Sequence, residues 1–308
     1  MLKPAMAMAL LVCAASLWPA QAGAQQSPVE PDRTIIVQGN PEVDGDAARR
    51  QARGITFPTD DYADSLARFH RPVCVGLYGL RAAAAQDVID RIYLNAEKAG
   101  VATNQEEGCA ANLWVMIVDD PAATFERLAD ESSWMVRDLS RFERRRIREQ
   151  QGPTRAWQIT SARDDVGIVV ASGTQVAEST SYSRISGLLP PMTPSTNMSR
   201  IRNGIRRDIE LSMVIIARSA LGDVDTIGLA DYATMRTLGR TLVPDQDDRA
   251  YDAVLNLFDA QGRVDRLSAF DRAYLKGLYS GSPYRRASLG VGNLTKHMEE
   301  ELGEQAEE

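Results

Sequence analysis

The run Leu113-Trp-Val-Met-Ile-Val118 constrains the fold more than any other stretch of this chain. It has no polar break, the pattern of a strand buried on both faces. An earlier apolar stretch, "PVCVGLYGL" (Pro72 to Leu80), also reads as a strand. Between them, Ala82 to Ala99 is predicted helical. Ala85, Val88, Ile89, Ile92, Ala96 and Ala99 fall on one face, and Gly100 follows as the helix stop. Strand, helix and strand of these lengths predict a right-handed parallel crossover.

After Val118, Asp120 is placed to cap a helix whose first residue is Pro121. Leu139 to Gln151 reads as a further helix, rich in arginine. "RAWQITSA" and "VGIVVAS" suit two strands around a turn at Asp164-Asp165, and a Ser/Thr/Pro-rich loop runs from Glu178 to Ser199. "IELSMVIIAR" (Ile209 to Arg218) is the last strand signal. Helices are expected at Ile227 to Gly239, Arg249 to Phe258, Ser268 to Tyr279 and after Arg285. The fold class is therefore α/β (α+β): a mixed sheet with a parallel strand-helix-strand start, then a helical C-terminal half. A hydrophobic content of 44% supplies the core for it.

The organisation along the chain follows from composition. Residues 1–24 look like a secretory signal: Lys3, an apolar run too short to span a bilayer, and Ala22-Gly23-Ala24 as the cleavage site. Residues 25–60 are polar and proline-rich and are expected to be a flexible linker. Within them the β-prone run Thr34 to Gly39 could add to a sheet edge. Residues 61–296 are expected to form a single domain that starts near Asp61, and residues 297–308 a frayed acidic tail. No later segment reaches transmembrane length, so a periplasmic or secreted location is expected. In such an oxidising compartment Cys74 and Cys109 read as one disulfide, worth about 3 kcal/mol by loop closure. The net charge of −7 argues against nucleic acid as a partner.

Chemistry-bearing residues are few. His70 and His297 are the two histidines, and no pair of ligands sits at helical spacing for a metal. Neither G-x-S-x-G nor G-x-G-x-x-G occurs. Asp119 and Asp120 end a central strand, where a carboxylate could serve, yet Asp120 already has work as an N-cap. The arginines around Arg144 read as a solvated helix face. No cofactor is expected.

The stretch "ADYATMRTLGRTL" (Ala230 to Leu242) lies between the last strand and the helix "RLSAFDRAYLKGLY" (Arg266 to Tyr279). This arrangement resembles the zincin metallopeptidases, in particular the matrix-metallopeptidase branch. Those carry H-E-x-x-H-x-x-G-x-x-H, a methionine turn, and a last helix opened by L-[ST]-x-x-D and ended by L-Y. The last-helix pattern is matched closely, and "AVLNLFD" (Ala253 to Asp259) stands in the place of the methionine turn without its methionine. Placed on Gly239, the motif's metal ligands fall on Tyr232, Arg236 and Leu242 and its glutamate on Ala233. A similar loss marks a group of secreted bacterial proteins with a domain of unknown function, which the chain also resembles. A plain structural helix would equally explain Ile227, Ala230, Ala233, Thr234, Thr237 and Leu238 on one face. The resemblance implies a zincin-like fold without zinc, so an enzyme is not the first expectation. The chain is expected to be a non-catalytic binding or envelope accessory protein, its partner an envelope protein or a peptide. Tyr232 and Arg236 are the candidate binding residues. The alternative is a hydrolase-type enzyme with an unrecognised, non-zinc site.

Overall fold

The computed structural model describes residues 43–58, 65–170, 204–243 and 249–307. The expected signal (1–24), the Thr34 to Gly39 run and the Glu178 to Ser199 loop lie outside the described residues.

The strand-helix-strand start is as expected. Strand β1 (Val75–Tyr78) leads through helix α2 (Ala82–Lys98) to strand β2 (Leu113–Val118), and the two strands pair in parallel with Val75 beside Leu113. Gly79 makes the exit from β1 possible: its φ is +94°, and a Cβ there would sit 2.1 Å from the carbonyl oxygen of Ile117. Cys74 and Cys109 are joined, their Cα atoms 6.2 Å apart, which ties the start of β1 to the approach to β2. Asp120 caps α3 (Pro121–Asp130) through the N–H groups of Ala122 and Ala123. Ser140 and Glu143 form a capping box at α4 (Arg141–Glu149).

Strands β3 (Thr154–Arg163) and β4 (Val169–Val170) form the expected hairpin, and β5 (Arg206–Ala217) completes a five-stranded sheet of order β1-β2-β5-β3-β4. β5 is parallel to β2 and antiparallel to β3, so the sheet is mixed. Both faces are covered. Val115, Ile117, Val214 and Ile216 pack with the helices α2, α5 (Thr226–Leu238) and α6 (Ala269–Ser280). Met213 and Ile215 pack on the other side with Phe125, Leu139 and Ile147. A final helix, α7 (Leu294–Glu307), lies against α6. Among the described residues, no strand follows Ala217.

Four expectations need correction. Residues 25–60 are not all linker, and the fold does not begin near Asp61. Gly45–Ile55 is helix α1, capped by Asp44, with Ala48, Ala52 and Ile55 buried. Its apolar stripe consists of alanines between arginines, which reads as polar, yet burying Ile55 alone is worth about 1.5–3 kcal/mol. Arg249 to Phe258 is not a helix. Only Val254–Asn256 makes a 3₁₀ turn, because the N–H of Val254 is taken by the carboxylate of Asp271 at 2.7 Å. Residues 297–308 are not a frayed tail, since His297, Met298 and Glu301 are buried within α7. Glu301 pairs with Arg272 and Lys276 of α6. Finally, α5 has no single apolar face. Gly228 to Leu238 are all buried, while Ile227 at its start is exposed. A helix enclosed all round has no wet side for a polar stripe to mark.

Candidate functional site

Helix α5 is fixed at both ends by polar side chains. Asp225 caps its first turn through the N–H of Gly228. At the other end the last carbonyls are taken up by neighbours: Gln158 donates to the oxygen of Arg236, Ser212 to that of Thr237 and Thr241 to that of Met235. One flank is locked by Asp231, wholly buried. Arg91 grips it with two bonds of 2.7 and 3.0 Å, Asn95 adds one of 2.8 Å, and the N–H of Leu267 adds another of 3.0 Å.

The opposite flank faces a cleft of about 600 Å³. Tyr232, Arg236 and Leu242 all line it, so the three positions that the sequence aligns with metal ligands converge in space. Ala233, aligned with the missing glutamate, is fully buried. Leu255, Asn256, Phe258 and Asp259 form a second wall, Thr154 and Gln150 a third, and Phe57 with Pro58 a fourth. That last wall exists because the chain after α1 runs beside the end of α5: Thr56 bridges Thr241, and the N–H of Phe57 bonds to the oxygen of Arg240.

Tyr232 and Arg236 are both nearly enclosed, at 1% and 2% exposure. Arg236 donates to the Tyr232 oxygen at 3.3 Å, so the phenol's own proton is free to go to Thr154 Oγ1, 2.8 Å away. A second guanidinium nitrogen donates to Gln150 Oε1 at 3.1 Å, and Gln150 is itself pinned to both backbone groups of Ala156. The phenol ring meets Phe258 edge-on at 4.9 Å. Among the described residues both hydrogen-bond partners of Arg236 are neutral, and its Nε has none. Nearby Arg155 is held below its ordinary value, chiefly by burial and further by the charge of Arg236; Asp120 opposes the shift. The cleft floor is therefore positive.

Its acids are already engaged. Asp259 pairs with Arg249, and Glu149 with Arg145. Arg146 at the rim lies over the rings of Phe142 and Phe57, at 4.6 and 5.1 Å.

The other candidates are dispersed. Asp120 is the α3 cap, and Asp119 is exposed beside Arg218. His70 sits against Asp208 and Arg68, and burial pushes it down to about 4, so at neutral pH it is uncharged. His297 contacts Ser280 and Glu300. Of the arginines on α4, Arg141, Arg145 and Arg148 are exposed, while Arg144, half-buried, donates to the carbonyls of Leu139, Val136 and Arg137. Zinc does not fit the cleft. A phenol, a guanidinium and a leucine make no ligand set, and a guanidinium stays protonated. Among the described residues, no three His, Cys, Asp or Glu side chains gather as a metal site elsewhere. Sequence reasoning missed Gln150, Thr154, Phe57 and Asn256. Nothing in their local pattern marks them, because tertiary contacts alone bring them to α5.

Comparison with protein-family models, with curated proteins and with solved structures finds no match to this chain.

Proposed function

We propose that this is an exported binding domain of zincin-like architecture in which the metal centre has been replaced by a ligand cleft, so that it binds without hydrolysing. One observation carries the reading: Tyr232, Arg236 and Leu242, spaced as the motif spaces its ligands, line one cleft with the Leu255 to Asp259 segment opposite. Their chemistry supports the rest. With no ligand set there is no activated water, and with Ala233 in the glutamate's place there is no general base. Export to the periplasm or beyond is supported by the signal pattern of residues 1–24 and the Cys74–Cys109 bond. Among the described residues, no helix is long and apolar enough to cross a membrane.

Zinc titration by calorimetry tests the proposal, with wild type beside a Tyr232→His/Arg236→His/Leu242→His variant. The wild type is expected to take up no stoichiometric zinc, and the variant to gain a site. Tight zinc binding by the wild type, with a peptidase activity lost on chelation, overturns the silent-cleft reading. A folded triple variant that binds no zinc overturns the zincin-like geometry.

A further inference from the structure

The buried guanidinium of Arg236 lacks what such a group ordinarily has. Taking a charge out of water costs several kcal/mol unless a counter-charge or a full set of hydrogen bonds replaces the solvent. Arg236 has a phenol oxygen and an amide oxygen, and its Nε–H has no acceptor. Among the described residues, no carboxylate pairs with it, and none pairs with Arg146 at the rim. The cleft's own acids, Asp259 and Glu149, are held by other arginines. An anion is the missing complement.

The rest of the lining narrows which anion. Phe57, Leu242, Leu255 and Phe258 give the cleft apolar walls, which an inorganic ion would leave unfilled. About 600 Å³ lies within the range of small-ligand sites, about 300–1,000 Å³. Asn256 adds a third requirement. It lines the same cleft, is buried at 4% exposure, and its Oδ1 has no hydrogen-bond partner. A turn of that amide would offer it to a donor in the cleft. Carboxylate, apolar side chain and N–H donor occur together at the end of a polypeptide.

We propose that the cleft captures the free C-terminus of a peptide. The terminal carboxylate meets Arg236, assisted by Tyr232. The last side chain, apolar, lies between Leu242, Leu255 and Phe258, and the last amide N–H is received by Asn256. This rests on the reading of the cleft as a binding site without metal.

The test uses the mature chain with its disulfide intact, in EDTA, titrated with N-acetyl-Ala-Ala-Leu as free acid, with the same peptide as C-terminal amide, and with hexanoate. The free acid is expected to bind at least about tenfold more tightly than the amide, the scale of a charged hydrogen-bonded pair. Hexanoate, which has no N–H, is expected to bind more weakly than the peptide acid. Arg236→Met is expected to erase the preference for acid over amide. Leu242→Asp, on the half-buried wall, is expected to do the same by placing a carboxylate opposite the ligand's. Equal binding of acid and amide by the wild type overturns the proposal without any variant. Hexanoate binding as tightly as the peptide overturns its peptide part. These failures are distinct from that of the silent-cleft reading, which fails if the protein as purified carries zinc and EDTA abolishes peptide binding.

Discussion

Asp231 and Arg236 stand little more than one turn apart on the same helix, and both are buried charges. The flank of α5 that carries Asp231 gives it a bidentate guanidinium, an amide and a backbone N–H. The flank that carries Arg236 gives it two neutral oxygens and leaves Nε alone. A charge with its full complement is a fastening: it joins α5 to α2 and to the start of α6. A charge without one is held in place by the fold around it.

The largest expected effect comes from breaking the complete side. Asp231→Ala leaves Arg91 and Asn95 facing a void in the middle of the α2–α5 contact. The loss should be about 3 kcal/mol, the low end for a broken buried pair because Arg91 keeps some solvent. Denaturant unfolding measures it. A change under about 0.5 kcal/mol would mean that the pair is not a fastening at all.

Asp271 lies between the two extremes and gives a pH test. One of its oxygens accepts from the N–H groups of Val254 and Ser268 and from the Ser268 hydroxyl, while the other has no partner. Burial pushes its carboxyl from 3.8 up to about 7. The folded state thus keeps a proton that the unfolded chain has already released. Its contribution to stability is greatest below 3.8, falls as pH rises to about 7, and is level above that. His70, pushed down to about 4, contributes in the opposite sense over much of this range, so the reading is the difference between two profiles: the wild type should lose stability relative to Asp271→Asn as pH rises from 3.8 to about 7. Wild-type and Asp271→Asn profiles that run parallel across the range contradict the assignment.

The smallest effect on stability is expected on the incomplete side. Arg236→Met removes a charge that lacks a counter-charge and keeps most of the volume, so stability should fall by no more than about 1 kcal/mol and is free to rise. The variant is nevertheless the one expected to lose the free-acid preference. A loss as large as that of Asp231→Ala would place Arg236 among the fastenings and remove the contrast.

What was legible in the sequence follows the same division. β1, α2 and β2 announced themselves because their neighbours are close in the chain and their periodicity is unmixed. The Cys74–Cys109 pair followed from parity and from the oxidising compartment that the first residues led us to expect. The ends of the domain were misjudged. In α1 the buried positions are mostly alanine, and in α7 the acids of the supposed tail find Arg272 and Lys276 of α6. No composition rule separates such residues from solvated ones. At the cleft, Tyr232 and Arg236 could be singled out by their spacing, but Phe57, Gln150 and Asn256 arrive from three other parts of the chain. The state of Arg236 depends on what those segments do not supply, and a missing counter-charge leaves no mark in a sequence.

The order of strands carries one more implication, for how the chain reaches this state. β5 lies between β2 and β3, pairing Leu113 with Ser212 and Thr154 with Ile216, although it follows both in sequence. Until Arg206–Ala217 has been synthesised and inserted, the apolar strand β2 and the more polar β3 each present an unpaired edge. Such edges template association between chains. The early portion of this protein is therefore at its most aggregation-prone just before its central strand arrives, and a chain cut short ahead of β5 would remain in that condition permanently.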